Sequence, residues 1–343
     1  MVKNIVICLD GTWDTLSADP EYLTNVHFIS EVVGYSSDVP GMKYQQCYYT
    51  KGVGSGSPFV DRFVNGAFGR GVFEQARDAW DYIRNNNNPG DRIFIFGFSR
   101  GAFAARHLAS MLTHCGIGKS IGATTENNFR RWETLVGTPV VQPKAEVEFL
   151  GLFDCVPANQ VLLALNRKYH LNSPKLENGI KHVRHALARD ERRWSFKPIV
   201  FEEYEHHKTF KQVVFPGFHR DVGGGGKSNE GLAKIPLWWM MREAYEVGLD
   251  FSIVNCRMHR AGNNTFVGSL DPSSKPQCSD YLTTRLGIKH IRNNTQDFAA
   301  LSIAPQLHEM DICPRCEKDM FEVFSIPYYK QRMEKILCNS KTL

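Results

Sequence analysis

The sequence predicts an α/β fold: a mostly parallel sheet with helices on both faces. Three observations carry this. Short runs of β-branched and aromatic residues recur along the chain, amphipathic helical stretches alternate with them, and compact turn clusters separate the two. With 343 residues, 42% of them apolar, the chain is long enough to bury a full core on each side of such a sheet.

The elements follow in order. Residues 4–9, NIVICL, read as a buried strand, and DGTWD after it is a turn-forming cluster. In NVHFISEVV, Val26, Ile29, Val32 and Val33 fall on one helical face, with Thr24 or Asn25 as N-cap. KYQQCYYT, residues 43–50, reads as a second strand, and KGVGSGSP as a glycine-rich loop. Val72, Phe73, Ala76, Trp80 and Ile83 then form one helical stripe. NNNNPG stops that helix, because Asn tolerates left-handed backbone and Pro89 cannot continue the ladder. A strand at 92–96 leads into Ser99 and a helix to about His114. EVEFLGLF (146–153) is a strand ending at Asp154, and TFKQVVF (209–215) another, ending in PGFHRDVGGGG. A helix from about Leu232 to Val247 closes the regular part, and Asn255 to Leu343 is less periodic. The expected division is a catalytic domain at 1–254 and a C-terminal extension, subdomain or lid at 255–343.

Bulk properties narrow the function classes. The net charge is +5 with no long basic run, which argues against a dedicated nucleic-acid binder and tolerates an anionic surface. Nine scattered cysteines suit a reduced chain. Cys313 and Cys316 have CxxC spacing, but only Cys338 and His308 lie near enough to complete a zinc set, so they read as incidental thiols. The apolar run at the N-terminus is five residues, ending at Leu9, too short for a signal-peptide core. No segment approaches transmembrane length. The expectation is a protein soluble and cytoplasmic as synthesised, whose export would be leaderless.

The chemistry is concentrated at predicted strand ends. Gly97-Phe98-Ser99-Arg100-Gly101 fits the G-x-S-x-G nucleophile elbow, with a hydrophobic strand before it and a helix-forming run after it. The strand-to-helix turn presents the serine hydroxyl above the sheet. The glycines leave room where a Cβ would collide, and the Arg100 N–H at the helix N-terminus can meet a developing oxyanion. Serine needs a base, and the base an orienting acid. Ser99, Asp154 and His219 follow the α/β-hydrolase order of serine, acid, histidine. Taken singly, Asp154 is a turn aspartate and His219 a loop histidine; with the elbow they form a candidate triad. Asp221 lies too close to His219 in sequence to orient it, Asp190 at a predicted helix end reads as an ion-pair partner, and His308 is the alternative base. The loop LDGTW offers a second oxyanion donor at Gly11 or Thr12, with Asp10 bonding local amides; an ordinary strand-end turn is the competing reading.

Other motifs read more plainly. The glycine run at 223–226 lacks the first glycine of a phosphate-binding G-x-x-x-x-G-K-[ST] loop and reads as a flexible loop letting His219 reach the site. LWWMMREAY reads as a core helix, with a lipid-facing stripe as alternative. Arg189, Arg192 and Arg193 read as a solvated helix face, with a phosphate-facing role as alternative.

CLDGTW, YYTKGVGSG, PGDRIFIFGFSRGAFAAR, FLGLFDCVPA, RHALARDERR, FPGFHRDVGGG and LWWMMREA, in this order over residues 4 to about 250, resemble the phospholipase effectors of bacterial type VI secretion and the α/β-hydrolases around them. The resemblance implies a Ser-Asp-His triad on Ser99, Asp154 and His219 and ester hydrolysis, with phospholipids the substrate class of some members. The triad mechanism requires no metal or organic cofactor, and the expected partners are a lipid or small-ester substrate, with transient contact with a membrane surface where that substrate is lipid. The residues leave two alternatives, a small-molecule carboxylesterase and a non-catalytic binding protein that keeps the fold.

Overall fold

A computed structural model of the chain describes residues 2–11, 23–34, 44–52, 68–117, 131–132, 134–135, 143–157, 176–193, 196–201, 209–215, 217–225 and 230–251. Thr12, His308, Cys313, Cys316 and the expected C-terminal unit lie outside these.

The strands are β1 (Asn4–Leu9), β2 (Gln45–Thr50), β3 (Arg92–Phe98), β4 (Val147–Phe153), β5 (Ile180–Ala188) and β6 (Phe210–Phe215). They form one six-stranded sheet in the order β2-β1-β3-β4-β5-β6, with every neighbouring pair parallel. The helices are α1 (Asn25–Gly34), α2 (Phe68–Asn86), α3 (Arg100–Cys115), the short α4 (His219–Gly223) and α5 (Glu230–Glu246). The fold is therefore α/β and hydrolase-like, as the alternating pattern predicts.

Both faces of the sheet are covered, which is why the strands read as continuous apolar runs. The two-residue period divides them. Val6, Cys8, Phe94, Phe96 and Phe98 face a core shared with α1 and α5. Ile5, Ile7, Leu9, Ile93 and Ile95 face a second core under α2 and α3. Phe149 of β4 packs on Phe96 with ring centroids 5.4 Å apart. Each such ring contributes about 1.5–3 kcal/mol relative to leaving it in water. The LWWMM stretch lies in this interior: Leu237, Trp238, Trp239, Met240 and Met241 are all buried.

Helix termini follow the expected chemistry. Thr24 caps α1 through His27 N–H to Thr24 Oγ1 (3.0 Å). Asn25 does something else: its amide donates to the Val222 and Ala233 carbonyls, both at 2.8 Å, tying α1 to α4 and α5.

Two sequence readings need correction. Residues around Arg189 to Arg193 are not a helix face; β5 ends at Ala188 and a loop follows. Ala and Arg favour helix locally, but the stretch that leads into this loop, β5, fills the slot between β4 and β6, where both strands satisfy its backbone. Arg184 within it is buried against Glu243 of α5 at 2.5 Å. The described part of the glycine run is also not a free loop. His219–Gly223 is a helical turn, Gly224 bridges to Thr24, and Gly225 N–H donates to Leu23 O (3.1 Å).

Register then brings the loops together. Leu9 pairs with Gly97, Phe98 with Phe153, Phe153 with Ala186, and Ala188 with Phe215. The segments after β1, β3, β4, β5 and β6 thus leave the sheet side by side at its carboxyl edge. β1 and β3 are the pair at which strand order reverses, the place where open α/β sheets form their crevice.

Candidate active site

Ser99 sits between β3 and α3 with φ 57° and ψ −122°. It and Asp154, with φ 42°, are the two non-glycine residues with positive φ among the described residues. Each such conformation costs about 1–3 kcal/mol and persists only where neighbours hold it. Here they do: Ser99 N–H donates to Phe153 O (3.0 Å), Val156 N–H to Ser99 O (3.2 Å), and Asp154 N–H to Ala186 O (2.7 Å). The Ser99 hydroxyl makes no capping bond to α3, so the turn does not consume it.

The glycines on either side are required by space. A Cβ on Gly97 would lie 2.5 Å from Gly101 O and 2.6 Å from Ala102 Cα. A Cβ on Gly101 would lie 2.2 Å from Leu9 O and 2.5 Å from Asp10 O. The elbow therefore packs backbone on backbone against both its own helix and the end of β1.

The loop after β1 comes equally close: a Cβ on Gly11 would sit 3.1 Å from Ser99 Cβ. Asp10 anchors it. Its Oδ1 accepts from Gly11 N–H (2.8 Å), and its Oδ2 accepts from Thr24 Oγ1 (2.6 Å) and Tyr49 OH (2.8 Å). Burial pushes the Asp10 carboxyl up, against these three hydrogen bonds and the nearby His27, which pull it down. Gly11 thus supplies close approach, while its amide is engaged by Asp10. Arg100 occupies the first position of α3.

Asp154 and His219 meet. His219 Nδ1 lies 2.6 Å from Asp154 Oδ2, and the other carboxylate oxygen accepts from Ala188 N–H at 3.0 Å. Asp154 is wholly buried and His219 is 4% exposed. The carboxylate fixes the tautomer: Nδ1 carries the proton, and Nε2 keeps a lone pair. Burial lowers the His219 pKa, opposed by the hydrogen bond and charge of Asp154 and by the charge of Glu191; the net shift is downward. That shift favours the neutral form of the ring.

The ring is held on two sides by Phe98 (centroids 4.7 Å, 32°) and Phe196 (4.8 Å, 73°). Phe98 directly precedes Ser99, so the histidine rests on the elbow's own strand. Among the rivals, Asp221 Oδ2 accepts from Phe218 N–H (2.7 Å), a local bond that holds the α4 turn. Asp190 pairs with Arg189 (2.7 Å) and accepts from Gly217 N–H (2.8 Å), joining the loops after β5 and β6.

Sequence reasoning missed Glu191 and Phe196, and it read Arg193 as part of a solvated helix face. Glu191 is 1% exposed and accepts from His219 N–H (3.3 Å), while Arg193 binds both its oxygens at 2.9 and 2.7 Å. The available signal was a carboxylate amid arginines just past a strand, which in isolation looks like surface charge. Among the described residues, no group of three or more His, Cys, Asp or Glu could hold a metal ion, and no helix is long and apolar enough to cross a membrane. Cys8 and Cys155 are buried thiols, and Cys47 and Cys115 are half-buried thiols.

A family model described as the catalytic domain of the type VI secretion phospholipase effector Tle1-like family matches residues 3–137 and 121–243. The chain belongs to this family. A curated relative, the uncharacterized protein YEL023C of Saccharomyces cerevisiae, is 29% identical over 234 residues, which are 58% of this chain and 33% of that protein. Similar solved structures include the Tle1 effector bound to the VgrG spike of the type VI secretion system, with TM-score 0.43 and 21% identity over 66% of this chain and 52% of that one. Another is an uncharacterized protein from Pseudomonas aeruginosa, with TM-score 0.41 and 19% identity over 73% of this chain and 46% of that one. The chain therefore spans about a third of the yeast relative and about half of each solved structure.

The elbow packing makes a direct prediction. Gly101→Ala should destabilise the fold by about 3 kcal/mol or more, because the added methyl meets backbone carbonyls that no rotamer change can clear. Urea denaturation of wild type and variant checks it; a change under about 0.5 kcal/mol would contradict the packing described.

Proposed function

We propose that the chain is a serine acyl-ester hydrolase of phospholipids, with Ser99 as nucleophile, His219 as general base and Asp154 as its orienting acid. The observation that carries this is the 2.6 Å bond from buried Asp154 to His219 Nδ1, at the same sheet edge as a serine held at φ 57° with no capping bond. The phospholipase description of the family supports the substrate class.

In this reading Ser99 Oγ attacks the ester carbonyl carbon as His219 Nε2 takes its proton. The carbonyl π electrons move to oxygen, and the Arg100 N–H and the Gly11–Thr12 loop receive that charge. Use of the Gly11 amide requires it to leave Asp10 Oδ1. The intermediate collapses, and the imidazolium protonates the departing alcohol, leaving an acyl group on Ser99. Water then attacks the acyl carbon, again giving its proton to His219, and the fatty acid leaves as Ser99 regains its hydrogen. Asp154 remains a carboxylate throughout and stabilises the imidazolium. The cycle calls for no metal or organic cofactor.

The experiment is hydrolysis of phospholipid vesicles beside a short-chain p-nitrophenyl ester, with wild type and Ser99→Ala. Wild type should release fatty acid from vesicles, and Ser99→Ala should lower kcat by about 10⁴-fold or more while remaining folded. Undiminished activity in folded Ser99→Ala would refute the nucleophile. Serine-dependent activity on the soluble ester alone would keep the hydrolase and remove phospholipid as the substrate.

The pH dependence has a fixed sign. Catalysis needs neutral His219, whose pKa lies below the ordinary imidazole value because burial disfavours its charge. The plateau of kcat/KM should therefore extend below that ordinary value before the acid limb sets in. An acid limb centred at or above it contradicts the neutral-base assignment.

A further inference from the structure

Two charged groups besides Asp154 act on His219, and both come from the loop after β5: Glu191 bonds its backbone amide, and Arg193 binds Glu191. Glu191 is buried and saturated with donors. Its Oε1 accepts from the Arg192 and Arg193 amides, both at 2.9 Å, and from Arg193 Nε at 2.9 Å. Its Oε2 accepts from an Arg193 terminal nitrogen at 2.7 Å and from the His219 amide at 3.3 Å. A surface pair would not look like this; a bidentate arginine plus backbone donors is the arrangement that lets a carboxylate remain charged while buried. Although burial raises the Glu191 pKa, the Arg193 hydrogen bonds and charge lower it further, so the net shift is downward.

Arg193 also reaches the histidine by a second route. Phe196 N–H donates to Arg193 O (3.1 Å), and this turn brings the guanidinium 3.6 Å from the centre of the Phe196 ring. The same ring stands edge-on to the His219 imidazole. A continuous line of contacts therefore runs from guanidinium through phenyl to imidazole, while the Glu191 carboxylate closes the loop onto the histidine backbone.

The remaining charges around His219 have partners elsewhere. Asp190 pairs with Arg189, Asp221 bonds the Phe218 amide, and Arg220 donates to Gly225 O (3.0 Å). Phe98 on the opposite side is neutral. The electrostatic setting of the imidazole is thus Asp154 on one nitrogen and the Glu191–Arg193 pair behind it.

We propose that Glu191 and Arg193 are a positioning pair for His219: they hold the imidazole against Asp154, and their opposed charges set the pH range in which it can accept a proton. The pair makes no contact with substrate in this account. Its role rests on the reading of His219 as general base. If the charges balance one another, removing one should leave the other acting alone. Glu191→Gln leaves a cation beside the imidazole and favours its neutral form; Arg193→Gln leaves a buried carboxylate and favours the imidazolium.

The test is a titration of the His219 imidazole by NMR in the full chain, assigned by loss of its signal in His219→Gln. The midpoint should fall in Glu191→Gln and rise in Arg193→Gln, each on the order of one pH unit, and the double variant should lie between the two. Shifts in the same direction, or none in either variant, would overturn the proposal, since loosened packing alone gives no opposite signs. Should Glu191→Gln fail to fold, Arg193→Gln decides alone: an upward shift upholds the pair, and an unmoved or lowered midpoint overturns it. The kinetic companion is a fall in kcat of about tenfold with KM little changed in either variant at neutral pH. The titration needs no turnover. An inactive wild type with opposite shifts defeats the hydrolase reading and leaves the pair, whereas an active enzyme with unmoved midpoints defeats the pair and leaves the hydrolase.

Discussion

The hydrogen bond between Asp154 and His219 organises the molecule's carboxyl edge. It spans 65 residues of sequence, joining the end of β4 to the turn after β6. Two ionisable side chains are taken out of water to make it, at a cost recovered only if the geometry is good and the remaining lone pairs are used. The Asp154 carboxylate meets that condition, with His219 on one oxygen and the Ala188 amide on the other. Without the imidazole, a buried charge would be stranded beneath the sheet edge.

The backbone around this bond is organised to make it. Asp154 turns at φ 42° as it leaves β4, and the Ala186 carbonyl on β5 holds its amide. His219 is delivered by a one-turn helix tied to α1 through Thr24 and Asn25. Thr24 also bonds Asp10, whose backbone lies against Gly101 of the elbow. Strain at Ser99 and Asp154 is thus borne by a network running through the ends of β1, β3, β4 and β6. Two well-packed hydrophobic cores support it from either side of the sheet, consistent with local strain being stored where the surrounding structure over-determines it.

Much of this was legible because local and global signals agreed. The run from Ile93 to Phe98 followed by Ser99 and an alanine-rich helix encodes both the strand-to-helix turn and the two-sided burial. Helix α2 announced itself by its Val72–Ile83 stripe and its asparagine-rich stop. β5 was opaque because Ala, Arg and His carry weak strand preference, and only its place between two strands makes it one. Glu191 was opaque for a related reason: a carboxylate among arginines looks like solvated charge until the fold buries it at the back of a histidine. The glycine run misled because permissive backbone was equated with freedom, whereas Gly224 and Gly225 use positive φ, 81° and 85°, to make a fixed turn.

In the proposed mechanism Ser99 is an activated nucleophile rather than a buried hydroxyl in an inherited fold. Reaction of the full chain with a fluorophosphonate probe, followed by mass mapping of the modified peptide, tests it most directly. The account predicts one adduct per chain on Ser99, slowed strongly in His219→Ala, where the base is gone. Labelling elsewhere, or none on Ser99 in folded protein, would contradict it.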